Sequence, residues 1–114
     1  MQIVPRHKRK TVRNPPIKAH EYDTGSRDIN IAEVELHGRY PQKGTVHNEL
    51  SQELVYVLDG RASLTCSKAT KQFERGDVVL IEPGERYSWD GVATLLISCA
   101  PTWTPEQHIN EVGE

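Results

Sequence analysis

From Ile29 onward the chain alternates. Ala32, Val34 and Leu36 fall on one side of an extended backbone and Glu33, Glu35 and His37 on the other, the period-two pattern of a half-buried strand. Gly38 ends it, and Tyr40, Pro41, Lys43 and Gly44 make a turn. Glu53 to Leu58 reads as a second strand closed by Asp59-Gly60, a hairpin signal, with Arg61 to Ser67 as its return partner. Thr70 to Phe73 is a short strand leading into Gly76-Asp77, and Val78 to Ile81 is a fully apolar one ended by Pro83-Gly84. Tyr87 and Trp89 share a face if the chain there is extended, and Asp90-Gly91 turns into a buried strand over Ala93 to Ala100. Ahead of all this, Pro5, Pro15 and Pro16 exclude a continuous helix from residues 1–18, and residues 19–28 read as a loop around Gly25. At the far end, Thr104, Pro105 and Glu106-Gln107 predict a short C-terminal helical turn. Many short strands with Gly-rich turns predict an all-β fold, a small barrel or sandwich.

Composition sharpens this picture. The 114 residues suit a single domain, and with one Phe and one Met its core must be built mostly from Val, Ile and Leu. A domain of this size buries only about two thirds of its unfolded surface, so a homodimer is expected to relieve the thin core. Residues 1–18 hold Arg6, Lys8, Arg9, Lys10, Arg13 and Lys18 and no acid, a charge of +6 that leaves the rest of the chain at −8 against the overall −2. The chain therefore divides into a basic arm, residues 1–18, and a domain, residues 19–114. An acidic body argues against nucleic acid as a partner of the main fold. Exchange of the arm between two subunits would bury Ile3, Val4 and Val12 and bring opposite charges together. No apolar run reaches the roughly 20 residues that cross a bilayer, and the charged start has no apolar leader core, so no membrane partner is expected and the location expected is cytoplasmic. Cys66 and Cys99 lack CxxC spacing and sit in apolar stretches, which predicts two reduced, buried thiols. Neither a G-x-S-x-G nucleophile elbow nor a phosphate-cradling glycine loop is present.

Two spaced motifs resemble those of the cupin family. Glu53 followed by six residues and Gly60 is similar to the end of the first cupin motif, G-x5-H-x-H-x3,4-E-x6-G. Gly76, Gly84, Tyr87 and Gly91 echo the second, G-x5-P-x-G-x2-H-x3-N. GRYP at Gly38–Pro41, the run Asn48–Gly60, YSWDG at Tyr87–Gly91 and PTWTPEQH at Pro101–His108 resemble a subgroup of small stand-alone cupins. The resemblance covers about Ile29 to Pro101 and implies a single antiparallel β-barrel of the jelly-roll kind. It also implies a site inside the barrel, which in most cupins is a metal held by three His and one Glu.

That donor set is degenerate here. Tyr87 stands where the second motif has its His, and a phenol with an ordinary pKa near 10 is a poor metal ligand but a good hydrogen-bond donor. The first motif reads in two registers: His47 and Glu49 take the His positions in one, Val46 and Asn48 in the other. No cofactor is therefore expected; a weakly held divalent ion, on His47, Glu49 and Glu53, is the most the set would carry. Glu53, opening an apolar strand, is the leading candidate for acceptor or general base, with Tyr87 as the second candidate catalytic group. Asn48, Tyr87, Trp89 and Tyr40 are candidate ligand contacts, Trp89 and Tyr87 as flat walls and Tyr40 at the rim. Two functions stay open: a binder of a polar or sugar-like small molecule, or a metal-dependent or acid/base enzyme of the isomerase, dioxygenase or decarboxylase type that the resemblance implies.

Overall fold

The computed structural model describes residues 1–112; residues 113–114, the end of the expected domain, lie outside the described residues. In chain order the strands are β1 (Lys10–Asn14), β2 (Ile17–Tyr22), β3 (Asn30–Tyr40), β4 (Thr45–Asn48), β5 (Gln52–Cys66), β6 (Ala69–Glu74), β7 (Val78–Ile81), β8 (Tyr87–Ala100) and β9 (His108–Glu111). Every pairing among them is antiparallel, in one curled sheet. The expected all-β barrel of the cupin type is the fold observed. Its spine is the pair β5–β8, joined from Gln52 opposite Ala100 to Cys66 opposite Tyr87. On the other edge of β8 lie β3, β2 and β1 in succession, while β7 and β6 share the free edge of β5. Short β4 meets β8 at Val46–Tyr87 and carries β9 on its far side.

Alternation decides what faces inward. Val34, Leu36, Val46, Val55, Val57, Ile81 and Leu95 form the buried core with Phe73, Tyr87 and Trp89. Each such aliphatic side chain contributes roughly 1.5–3 kcal/mol by leaving water. The aromatic members pack edge to face, Trp89 against Phe73 at 5.5 Å and against Tyr87 at 5.7 Å.

Two expected turns are bends within long strands. Asp59-Gly60 closes no hairpin: β5 runs through it, with a bulge between Val57 and Asp59. Gly60 has φ +82°, and an added Cβ would lie 2.3 Å from the Val92 carbonyl oxygen. Asp90-Gly91 likewise sits inside β8; Gly91 has φ +144°, and a Cβ there would approach Ala62 Cα to 2.7 Å. A left-handed glycine serves a bulge as well as a tight turn, and both here bend strands that pair continuously on either side.

The N-terminal segment also departs from expectation. Residues 19–22, expected in a loop, belong to strand β2, which with β1 forms a hairpin that extends the sheet beyond β3 within the same chain. The position between residues 18 and 19 falls inside β2. The predicted C-terminal turn is a 3-10 turn over Pro105–Gln107, with Pro105 at its start, but Thr104 makes no side-chain cap and a strand follows. Cys99 is buried as expected, whereas Cys66 is only half-buried, its thiol donating to Glu85 Oε2.

Candidate functional site

Three strands deliver three side chains to one point. On β4, Val46 and Asn48 turn inward and His47 turns away, which selects the second of the two motif registers. Asn48 ends β4 and Glu53 lies at the start of β5, so the intervening residues fold back and place the two side by side. Tyr87 arrives from β8, beside Val46. Asn48 Nδ2 donates to Glu53 Oε1 at 2.5 Å, and the Tyr87 hydroxyl donates to the same oxygen at 2.9 Å. Glu53 is 4% exposed. Both donors sit on Oε1, and no donor among the described residues reaches Oε2.

The segment after β8 completes the site. His108 opens β9 directly opposite Asn48. Its Nδ1 lies 2.7 Å from Asn48 Oδ1, which also accepts from Trp103 Nε1 at 3.0 Å. An amide oxygen only accepts, so His108 carries its proton on Nδ1 and takes the Tyr40 hydroxyl on Nε2, 2.8 Å away. The result is a directed chain from Tyr40 through His108 and Asn48 to Glu53, with Tyr87 closing on the carboxylate from the other side. Gln107 holds the loop: its Oε1 accepts the backbone N–H of Leu50 at 3.0 Å and of Ser51 at 2.7 Å.

Electrostatics follow from burial. Desolvation raises the pKa of Glu53, and the Asn48 and Tyr87 bonds, which favour the charged form, act against it. Burial, then the Glu53 charge, lifts the Tyr87 phenol well above its ordinary range, and the same two causes raise Tyr40 and the Cys99 thiol. Burial, helped by nearby His47, lowers His108, so its imidazole is neutral near pH 7, as its hydrogen bonds require. No salt bridge to Glu53 is found among the described residues.

These groups border a cavity of about 430 Å³. Glu53, Tyr87, Tyr40 and His108 supply its polar side; Val34, Ile97, Trp89 and Trp103 supply apolar wall. Lys10, Asn14 and Glu21 of the N-terminal hairpin also line it. Two larger crevices, about 590 and 570 Å³, contain no buried polar side chain.

The sequence candidates Asn48, Glu53, Tyr87, Trp89 and Tyr40 thus meet around one space, with Asn48 behind Glu53. His47 and Glu49 do not join them. His47 lies on the opposite face of β4 with Nδ1 3.6 Å from Glu111, and Glu49 is exposed, so the conditional set His47, Glu49 and Glu53 is not assembled. No cluster of three His, Cys, Asp or Glu suited to a metal occurs among the described residues. At the usual cupin metal position, the Asn48 amide turns its hydrogens toward Glu53 and its oxygen toward two other donors, an arrangement that does not fit a cation. Arg39 and Arg86 are structural: Arg39 bonds the carbonyls of Pro41 and Gly44, and Arg86 pairs with Glu111 at 3.0 Å. Trp103 and His108 escaped the residue-by-residue reading; the signal available was PTWTPEQH, a polar and aromatic run directly after a buried strand.

Known proteins place this arrangement in context. The fold matches Pac13 from Streptomyces, described as a unique nucleoside dehydratase, with TM-score 0.86 and 13% identity over 99% of this chain and 94% of that one. A protein from Planctomyces limnophilus matches with TM-score 0.81 and 17% identity over 95% of each chain. KdgF from Halomonas sp. matches with TM-score 0.71 and 12% identity, covering 90% of this chain and 96% of that one. No functionally curated protein matches the sequence. The family model of the EutQ-like cupin domain matches residues 39–96, from the end of β3 through most of β8, and the chain belongs to that family.

Proposed function

We propose that the protein binds an uncharged, hydroxyl-bearing ring compound of sugar or nucleoside type in the barrel cavity, with Glu53 as its central acceptor. The observation that carries this reading is the asymmetry of the Glu53 carboxylate. Oε1 holds two donors from the protein and Oε2 holds none, on a residue that lines the cavity. A ligand hydroxyl on Oε2 completes the carboxylate, whereas an anionic ligand would be repelled. Trp89, Trp103 and the aliphatic wall suit the flat or apolar side of a ring, and the cavity falls within the roughly 300–1,000 Å³ of small-molecule sites. The likeness in fold to Pac13, variants of which are known with uridine, supports nucleosides as the first class to test.

A second reading, metal-free acid/base catalysis, is favoured by the raised pKa of Glu53 beside a protonated phenol. The carboxylate would take a proton from a carbon of the ring compound and Tyr87 would give one to a leaving hydroxyl, releasing water and leaving a double bond. A thermal-shift screen of nucleosides and monosaccharides on wild type, Glu53→Gln and Tyr87→Phe tests both readings. Binding to wild type that weakens in both variants is the expected result. A ligand that stabilises all three proteins equally overturns the site. Loss of water from a bound compound, followed by mass spectrometry, separates enzyme from binder.

A further inference from the structure

The Glu53 cavity does not end at its rim. Lys10 opens β1, Glu21 is next to the last residue of β2 and Asn30 opens β3, so register sets all three at one end of the sheet. Together with Trp103 they line the Glu53 cavity, and the same four residues line the crevice of about 590 Å³. The two spaces share this border. Its polar groups are not spent within the protein. Lys10 and Glu21 are cross-strand partners, yet neither enters a salt bridge among the described residues. Asn30 accepts the Trp103 backbone N–H on Oδ1 at 3.2 Å, and its amide hydrogens meet no acceptor among the described residues. Trp103 is fixed from two sides, since its Nε1 also donates to Asn48, which donates to Glu53. The border is thus tied to the network of the carboxylate.

We infer that the site takes a ligand of two units, a disaccharide or a glycosylated nucleoside. One ring lies at Glu53 and a second, hydroxyl-rich unit crosses the border into the crevice. This rests on the Glu53 reading above and narrows its ligand class. Charge selects the occupant. Lys8 and Lys10 line the crevice with Glu21 and Asp23, two charges of each sign, so an ionic group would meet its like as well as its opposite. A sugar hydroxyl both donates and accepts, and it can use groups of either kind. The crevice alone has no buried polar side chain, so the second unit adds affinity to a ring already held at Glu53. The basic arm gains a role, because residues 2–5 and Lys8 supply one wall of this second subsite.

Calorimetry on the full chain tests this with glucose, galactose and mannose against maltose, cellobiose, lactose and mannobiose. The expected result is a disaccharide that binds about tenfold or more tightly than either of its own units, the gain of one or two added hydrogen bonds. Lys8→Met should lose most of that gain and leave monosaccharide affinity unchanged, while Glu53→Gln should weaken both. Amide NMR of wild type locates the second unit without a variant: Lys8, Asp23 and Thr24 should shift with the disaccharide and stay with the monosaccharide. A panel in which no disaccharide outbinds its units overturns the inference. So does a gain that survives Lys8→Met or leaves those amides unmoved. Monosaccharide binding that depends on Glu53, with no gain from a second unit, sinks this inference alone. Binding that ignores Glu53, or no binding at all, sinks the reading of the Glu53 site with it.

Discussion

Glu35 and Glu53 lie on opposite faces of the sheet, each in a hydrogen-bond network that includes an imidazole. Outside, Glu35 on β3 bonds His20 Nε2 at 2.6 Å, and His20 Nδ1 is held by Thr11 at 2.8 Å. That hydrogen bond, aided by the charge of Lys18, lowers the Glu35 pKa against the opposing effect of burial. Inside, burial raises Glu53 against the opposing hydrogen bonds from Asn48 and Tyr87, and His108 reaches it only through the Asn48 amide. Glu35 is settled by its partners. Glu53 has been taken from water, given two neutral donors on one oxygen and no cation. The difference separates a carboxylate that joins two strands from one with an oxygen free of protein donors, which we propose a ligand completes.

Exchanging the acids for amides should break the comparison most visibly in binding. Glu53→Gln removes a charged acceptor and should weaken ligand affinity roughly ten- to hundredfold, about 1.5–3 kcal/mol, by calorimetry. Glu35→Gln should leave affinity unchanged. Asn48→Val strikes the link itself. It strips a donor from Glu53 and orphans Trp103 Nε1 and His108 Nδ1, so urea denaturation should show a loss of about 1–3 kcal/mol.

The pH dependence sharpens the contrast further. Above pH 4.5, the ordinary carboxylate value, and up to the raised one, native Glu53 keeps a proton that the unfolded chain has lost; stability therefore falls as pH rises through that window. Glu53→Gln should remove this fall, so the variant gains on wild type in melting temperature toward neutral pH. His108 acts at the acid side of its ordinary value of 6.5. There the unfolded imidazole binds a proton that the native one refuses, and stability drops as pH falls below 6.5. The smallest effect belongs to the outer pair: Glu35→Gln should cost no more than about 1 kcal/mol, since a partly exposed pair is screened by water.

How far the sequence spoke can be seen residue by residue. Alternation over Ala32–Leu36 and the apolar run Val78–Ile81 located β3 and β7, and the spacing of Glu53 and Gly60 placed β5 in the right family of barrels. Position alone made Glu53 suspicious, since it opens an apolar strand. The hairpin of β1 and β2 was hidden because Lys10, Asn14 and Glu21 share its inward face with Val12, Ile17 and Ala19, so the apolar alternation is broken in both strands. Bends at Gly60 and Gly91 looked like turns because both uses need the same left-handed glycine. Trp103 and His108 lie more than fifty residues from Asn48; the β4–β9 ladder brings His108 to it, and Trp103 is held by its backbone N–H on Asn30.

The central claim is that Glu53 is held partly unsatisfied so that a ligand hydroxyl can complete it. Carbon-13 NMR titration of the Glu53 side-chain carboxyl, free and saturated with a ligand from the nucleoside and sugar screen, tests this most directly. The account predicts a midpoint above 4.5 in the free protein that moves down on binding, because a new donor favours the charged form. A free midpoint at or below 4.5, or one that the ligand leaves unmoved, would contradict it.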